Sequence, residues 1–316
     1  MSHRAVTVET SARLHFGLLD LRTSAPRRFG GIGAPAPGFT TRLNTSLADT
    51  ITAHGDDADR AAEFAGRFLE HYGLTGGATI HVERAIPRHS GLGSGTQLAL
   101  AVALSLADLH GVTATLPELA CAVGRARRSA VGTWTFAGGG LVVEGGHHPN
   151  SPGASPLLAR VAFPPSWRCV VAIPDSRPGL SSEAESAAFA ALPEPDARDV
   201  ERVAYLVLVG LLPALAEGDV RAFGAALTEI QEINGRWFSS AQGGTFAPGP
   251  STDLVRAMRD WGAAGVGQSS WGPAVYGIID GDAAAHELAS RVRDSLGSRG
   301  VVHAGPFPDG GARIVR

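Results

Sequence analysis

The sequence predicts a two-domain globular protein of interleaved strands and helices, and three observations carry that expectation. A chain of 316 residues can bury one large core or two ordinary ones, and two is the more usual division. Apolar residues recur with a period of two in some stretches and near 3.6 in others, the marks of strands and amphipathic helices. Glycine and hydroxyl residues gather in two clusters, one in each half. The turn-rich run His147–Pro156 separates a first domain, residues 1–155, from a second, residues 156–316.

In the first domain, Ala5–Asp20 alternates as a strand, and Arg13 and His15, two apart, face the same side of it. Arg27 and Arg28 lead into Gly30, Gly31 and Gly33, a turn suited to an anion, and Thr40–Ala53 follows as a strand pair. Asp57–Tyr72 carries Ala61, Phe64, Ala65, Phe68 and Leu69 at helical spacing. The strand Ala78–Ile86 runs into Gly91, Ser94, Gly95 and a largely apolar helix, Thr96–Leu109. Glycines there let backbone N–H groups converge on an anion, and a helix N-terminus favours negative charge. Gly91, Gly93, Ser94, Gly95, Thr96 and Gln97 are therefore expected to form a phosphate cradle. It is not a Walker loop, because no G-K-[ST] follows the glycines.

Thr115 and Glu118 make a capping-box pair for a second helix. Arg125, Arg127 and Arg128 read as cations at its C-terminus. Thr133, Trp134 and Thr135, beside Gly138–Gly140, are candidates to line a pocket for a flat ligand, with a turn around a core tryptophan as the other reading. Leu141–Glu144 is a strand. His147 and His148 have no third ligand at a helpful spacing and read as loop.

The second half starts with strands at Leu158–Phe163 and Cys169–Ile173. Ser181 or Ser182 caps a helix with Glu183 and Glu185 in its first turn. Helices follow at Asp196–Ala216, Asp219–Phe238 and Ser251–Trp261. The second glycine cluster, Gly262–Pro273, offers Gln268, Ser269 and Ser270 as donors beside Trp271. The strand Ala274–Ile279, the helix Asp282–Leu296 and the strand Gly300–Ala304 complete the pattern.

Composition narrows the function classes. Hydrophobic residues make up 44% and charged residues 18%, values of a soluble protein. The apolar run Tyr205–Leu215 is interrupted by Gly210 and Pro213 and is too short for a bilayer. The start MSHRAVTVET has no apolar h-region, so a cytoplasmic protein with no membrane partner is the expectation. A net charge of −3 gives no general attraction to nucleic acid. Cys121 and Cys169 have no metal or redox spacing and read as buried thiols. All 27 basic residues are arginine. Schiff-base, general-base and P-loop lysine chemistry is thereby excluded, and an anion must be held by guanidinium forks, amides, hydroxyls or a metal.

With both glycine clusters in view, the chain resembles the GHMP kinase superfamily over essentially its whole length. The resemblance is carried by ARLHFGLLDL, the RRFGGIG turn, SGLGSGTQLALAVALSLA and GAAGVGQSSWGP. Within that superfamily it is similar to the β-ribofuranosylaminobenzene 5′-phosphate synthases and the related C-glycoside synthases. The resemblance implies a two-domain α+β fold and decarboxylative ribosyl transfer from phosphoribosyl pyrophosphate (PRPP) to an aromatic carboxylic acid. Magnesium is expected with the pyrophosphate, its ligands unassigned, and a homodimer is the family expectation. On this footing Arg13, His15 and Arg28 become the catalytic candidates. Arg27, the cradle from Gly91 to Gln97, and Gln268, Ser269 and Ser270 would bind PRPP, with Thr133, Trp134, Thr135 and Trp271 on the acceptor.

Two departures refine this. Kinases of the superfamily usually carry an aspartate in an S-G-x-D segment, where this chain has Ser129, Ala130, Val131 and Gly132. An ATP-dependent small-molecule kinase is thus the alternative, without its usual base. The synthases of the methanopterin route read close to S-G-I-G-x-x-A-F-E-x-G-G here, and this chain lacks the acidic residue. Thr133 and Thr135 then favour a more polar acceptor, an aminopyrazole dicarboxylate, over 4-aminobenzoate or 4-hydroxybenzoate.

Overall fold

The computed structural model describes residues 4–148, 153–176, 179 and 182–315. The first half supplies β1 (Ala5–Asp20), β2 (Phe29–Ala48), β3 (Thr52–Gly55), α1 (Ala58–Tyr72), β4 (Gly77–Arg84) and α2 (Ser94–His110). It continues with α3 (Leu116–Ala122), α4 (Val131–Ala137), β5 (Leu141–Glu144) and β6 (Leu157–Val161). After β7 (Trp167–Pro174) come α5 (Ser182–Ala191), α6 (Ala197–Tyr205), a π-helical stretch Leu206–Leu211 and α7 (Leu212–Glu217). The chain ends with α8 (Val220–Gln242), α9 (Pro250–Asp260), β8 (Gly265–Gln268), β9 (Val275–Asp280), α10 (Asp282–Leu296), β10 (Gly300–Pro306) and β11 (Arg313–Val315).

Two sheets organise these elements. The first runs β11-β1-β2-β4-β3, with β5 paired to β2 and β6 to β5; the second runs β10-β7-β9-β8. The fold is α+β in two units, as expected. β6 completes the first sheet through its antiparallel pairing with β5, so the second sheet begins at Trp167. The short strand β11 returns to pair with β1. Three residues, Arg313, Ile314 and Val315, carry too little pattern for a strand to be read from sequence.

The cores explain why the halves hold together. α1 and α2 cover the first sheet, burying Phe64, Phe68 and Leu69 against Val6, Val8 and Ile80. The second half of β1 leaves that core: Leu14, Phe16 and Leu18 pack with Cys169 and Val171 of β7 and with Phe223, Leu227 and Ile230 of α8. Alternate residues of β7, Val170 and Ala172, face α9 and α10. One strand thus serves two hydrophobic layers, and so does β7.

Local chemistry sets several ends. Thr115 caps α3 with a complete capping box, its N–H donating to Glu118 Oε2 at 2.7 Å. The expected helix 196–216 is instead α6, the π-helical stretch and α7, with Pro213 at the start of α7. The cap assigned to Ser181 lies outside the described residues. Cys169 is buried, whereas Cys121 is exposed on α3, against expectation, because its position faces away from the Leu119–Ala120 side. Among the described residues no helix is long and apolar enough to cross a membrane.

Candidate active site

A cleft of about 870 Å³ opens between the two units. Its geometry begins with irregular pairing in β1. Between Ser11 and Arg13 the register to β2 jumps from Thr40 to Pro35, and it slips again between His15 and Gly17. Such breaks re-aim side chains near functional sites. Freed from the ladder, Arg13 N donates to Leu92 O at 3.0 Å, and Arg13 Nη1 donates to Gly91 O at 2.6 Å. Arg13 and His15 both line the cleft.

One end of the cleft is cationic. Gly93, at φ 75°, opens α2, and no side chain caps this helix and no acidic residue sits in its first turn. Thr96 N turns back to Gly93 O at 3.0 Å, and the positive end of the helix dipole meets no capping side chain. A Cβ on Gly95 would collide with Nη2 of both Arg60 and Arg125. Arg60 is steadied by Asp57 at 3.1 Å and Arg67 by Glu63 at 2.5 Å. Arg125 lies over Phe64, 5.0 Å from the ring centroid, and its buried Nε has no hydrogen-bond partner among the described residues. Burial first, and the charges of Arg60 and Arg67 second, lower its pKa to about 10, so it is charged at neutral pH. Three converging guanidinium groups over an uncapped helix make a site for a polyanion.

Arg125, Arg60 and Arg67 were not legible as site residues. Arg125 reads as a helix C-terminal cation, yet α3 stops at Ala122 and Gly124 and Ala126 adopt positive φ, turning Arg125 into the cleft. Arg60 and Arg67, seven apart on α1, share a helix face, which was the available signal.

The middle of the cleft is polar and neutral. His15 is 7% exposed, and burial, then the charge of Arg13, lowers its pKa to about 3. It is therefore neutral at neutral pH. Its Nε2 lies 3.1 Å from Ser129 Oγ, which lines the cleft. Behind this pair the buried Glu144 accepts from Ala130 N at 3.2 Å and Gly146 N at 2.9 Å, and from Ser155 Oγ. Glu144 thereby holds the Ser129–Ala130 turn in place.

The other end is aromatic. Phe29, Phe189, Phe238 and Trp271 line it, with Gln231, Asn234, Gln242 and Gln268 behind them. Among the described residues, five non-glycine residues have positive φ: Phe29, Asp57, His89, Ala126 and Ser270. Four of these line the cleft and Asp57 holds Arg60. Each costs about 1–3 kcal/mol, and such strain gathers where function requires a particular geometry.

Other expected site residues lie elsewhere. Arg27 donates from Nε to Gly145 O at 2.9 Å, and Arg28 folds over its own neighbour Phe29; neither lines the cleft. Their glycines belong to β2, where a Cβ on Gly31 or Gly33 would strike Val131 of α4, so the glycines serve packing. Of the cradle, Thr96 lines the cleft and Ser94 and Gly95 form the helix start. Gly91, at φ 81°, instead abuts Ser269 O and Gly272 O across the units. Gln97 is fully buried, accepting from Thr10 Oγ1 at 2.8 Å and donating to Gly132 O at 3.0 Å. Ser269 is also fully buried; its Oγ donates to Gly91 O at 2.8 Å and accepts from His15 N at 2.9 Å. Gln268 and Ser270 line the cleft, though Gln268 Oε1 is taken by Ala247 N at 2.7 Å.

Thr133, Trp134 and Thr135 belong to α4 rather than to a pocket wall or a turn. Thr133 is fully buried, Thr135 donates to Gly132 O at 3.2 Å, and the Trp134 indole donates to Ser155 O at 2.8 Å. Their side chains pack between sheet and helix, because α4 turns these positions toward the core. Among the described residues, no group of three or more His, Cys, Asp or Glu could hold a metal ion.

The model for the GHMP kinases N terminal domain matches residues 59–139 and that for the GHMP kinases C terminal domain matches residues 211–297. The chain is 35% identical over 295 residues to the beta-ribofuranosylphenol 5′-phosphate synthase of Methanothermobacter thermautotrophicus, covering 86% of this chain and 88% of that protein. It is 33% identical over 306 residues to the enzyme of the same name from Archaeoglobus fulgidus, covering 93% of each. Among solved structures, the homoserine kinase of Cytophaga hutchinsonii superposes with a TM-score of 0.75 at 18% identity, over 100% of this chain and 98% of that one, a likeness of fold.

Proposed function

Because the chain belongs to the GHMP kinase superfamily and, within it, to the family of beta-ribofuranosylphenol 5′-phosphate synthases, we propose that it is a decarboxylating ribosyltransferase. In this reading it joins ribose 5-phosphate from PRPP to an aromatic carboxylic acid. The observation that supports it best is the polarity of one cleft: it is lined by cations fit for a pyrophosphate or phosphate and by aromatic rings fit for a flat acceptor. ATP-dependent phosphorylation is not favoured, since the Ser129–Gly132 turn carries no carboxylate to activate a hydroxyl.

The chemistry needs no net proton transfer. The ring carbon bearing the carboxylate bonds to the anomeric carbon while the C–O bond to pyrophosphate breaks, its electron pair leaving with pyrophosphate. The bond to the carboxyl group then breaks as carbon dioxide departs, and that pair restores the aromatic ring. A neutral His15 suits this sequence, since a fixed positive charge at the cleft centre would oppose the cationic ribose that develops there. Arg60, Arg125 and the first turn of α2 would hold the leaving pyrophosphate, with Arg13 alongside. Magnesium would arrive on the oxygens of PRPP itself.

The acceptor follows the family reading: a benzoate carrying an electron-donating para group. The polar acceptor inferred from Thr133 and Thr135 loses its basis, because neither threonine lines the cleft. The test is mass spectrometry of reactions containing PRPP, magnesium and 4-hydroxybenzoate, 4-aminobenzoate or an aminopyrazole dicarboxylate. A product heavier by ribose phosphate and lighter by one carboxyl group is expected with a benzoate. ATP binding without PRPP binding in calorimetry would overturn the reading.

A further inference from the structure

The aromatic end of the cleft has an internal order. Phe189 of α5 stands edge-to-face with Phe238 of α8 and with Trp271, centroids 5.6 Å away in each case, and Phe238 and Trp271 meet at 4.9 Å. These three rings come from separate elements and all line the cleft, none being fully buried. The amides behind them are already engaged. Asn234 accepts from Leu18 N at 2.7 Å, Gln242 Nε2 donates to Gly244 O and Thr245 O, and Gln231 bonds Phe16 O and Gln268 N. The wall therefore offers a ligand apolar ring surface rather than hydrogen bonds.

One cation stands beside these rings. The guanidinium of Arg128 lies 5.2 Å over the Phe189 ring, its Nη2 donating to Ser186 Oγ at 2.9 Å. Its Nη1 is buried, makes no hydrogen bond among the described residues, and lies 3.7 Å from Glu185 Oε2. Glu185 also accepts from the Trp271 indole at 3.3 Å, so this carboxylate ties the cation to the rings without saturating it.

We propose that the aromatic acid binds against Phe189, Phe238 and Trp271, with its carboxylate turned to Arg128. This assignment rests on the ribosyl-transfer reading and replaces Thr133, Trp134 and Thr135 as the acceptor site. A flat ring gains dispersion and edge-to-face contacts there, and Arg128, held over Phe189 with Nη2 on Ser186 Oγ, has Nη1 left to donate to a carboxylate. The acid is held by charge, while carbon dioxide, being neutral, has no such hold.

The test combines calorimetric binding of 4-hydroxybenzoate and of phenol with steady-state kinetics in Phe189→Ala, Trp271→Leu, Trp271→Phe and Arg128→Gln. Phe189→Ala and Trp271→Leu are expected to raise the 4-hydroxybenzoate KM and Kd about tenfold, leaving the PRPP KM within about twofold, with Trp271→Phe largely restoring binding. Arg128→Gln is expected to abolish the preference for 4-hydroxybenzoate over phenol. Unchanged acceptor binding in folded Phe189→Ala and Trp271→Leu, or an equal rise in both substrates' KM, overturns the assignment. Binding that responds to these variants in an enzyme that forms no ribosylated product would sink the catalytic reading and leave this one standing.

Discussion

A buried cation whose surroundings oppose its charge is a group ready for an anion, and Arg125 is such a case: burial and the charges of Arg60 and Arg67 outweigh the support of Glu63 and Glu185. Its Nε is buried and makes no hydrogen bond among the described residues. Arg125→Gln should lower kcat/KM for PRPP on the order of 30-fold, the scale of one charge-assisted contact of about 2 kcal/mol, and should not lower the melting temperature. His15 makes a different prediction, in stability. Burial keeps its folded pKa near 3, while the unfolded imidazole titrates near 6.5. The unfolded chain thus binds the proton first, and stability falls as pH drops through that window, by about 1.4 kcal/mol per unit at the steepest. In His15→Asn the loss of melting temperature between pH 7 and pH 4 should be smaller than in the parent. An equal loss would mean that His15 titrates normally. Arg13 and His15 could be read from their two-residue spacing on a strand, whereas Arg125 could not: where a helix stops decides which way such a cation points.

At the level of elements, the glycine turn entering α2 was legible because strand, glycines and apolar helix follow each other within a short stretch. The helix starts at Ser94 rather than at Thr96, Gln97 is bonded to Thr10 and Gly132, and Gly91 abuts Ser269 O and Gly272 O, contacts that spacing along the chain does not reveal. Gly95→Ala tests the site itself. Its methyl would displace Arg60 and Arg125, both flexible at their far ends, so PRPP affinity should fall by an order of magnitude or more with little change in melting temperature. Gly91→Ala would instead press a methyl on backbone carbonyls at a positive φ and should lower the melting temperature, seen by differential scanning fluorimetry. The Arg27–Gly33 turn shows the opposite error. Those glycines mark a strand against which α4 packs closely, a reason that lies in tertiary contact and leaves no local trace.

Across the whole molecule, the two units share β1, a core and a polar seam in which Ser269 joins Gly91 O and His15 N. The chain should therefore unfold in one calorimetric transition. Ser269→Ala leaves a buried carbonyl and amide without their partner, costing about 1–3 kcal/mol, and should lower that single transition by several degrees without splitting it. The number of domains was legible from length and the repeated glycine clusters. Their interlocking was not, because β11 is too short to announce itself and β1 changes neighbours halfway along an unbroken alternation. The exposed Cys121 brings a practical benefit. The other thiol, Cys169, is sealed in the shared core and burial pushes it up, away from reactivity, so maleimide dyes should attach at one position, on the helix that leads toward Arg125. The unmodified chain comes with its own reporter, and arrival of a phosphorylated sugar could be watched by fluorescence without engineering a single residue.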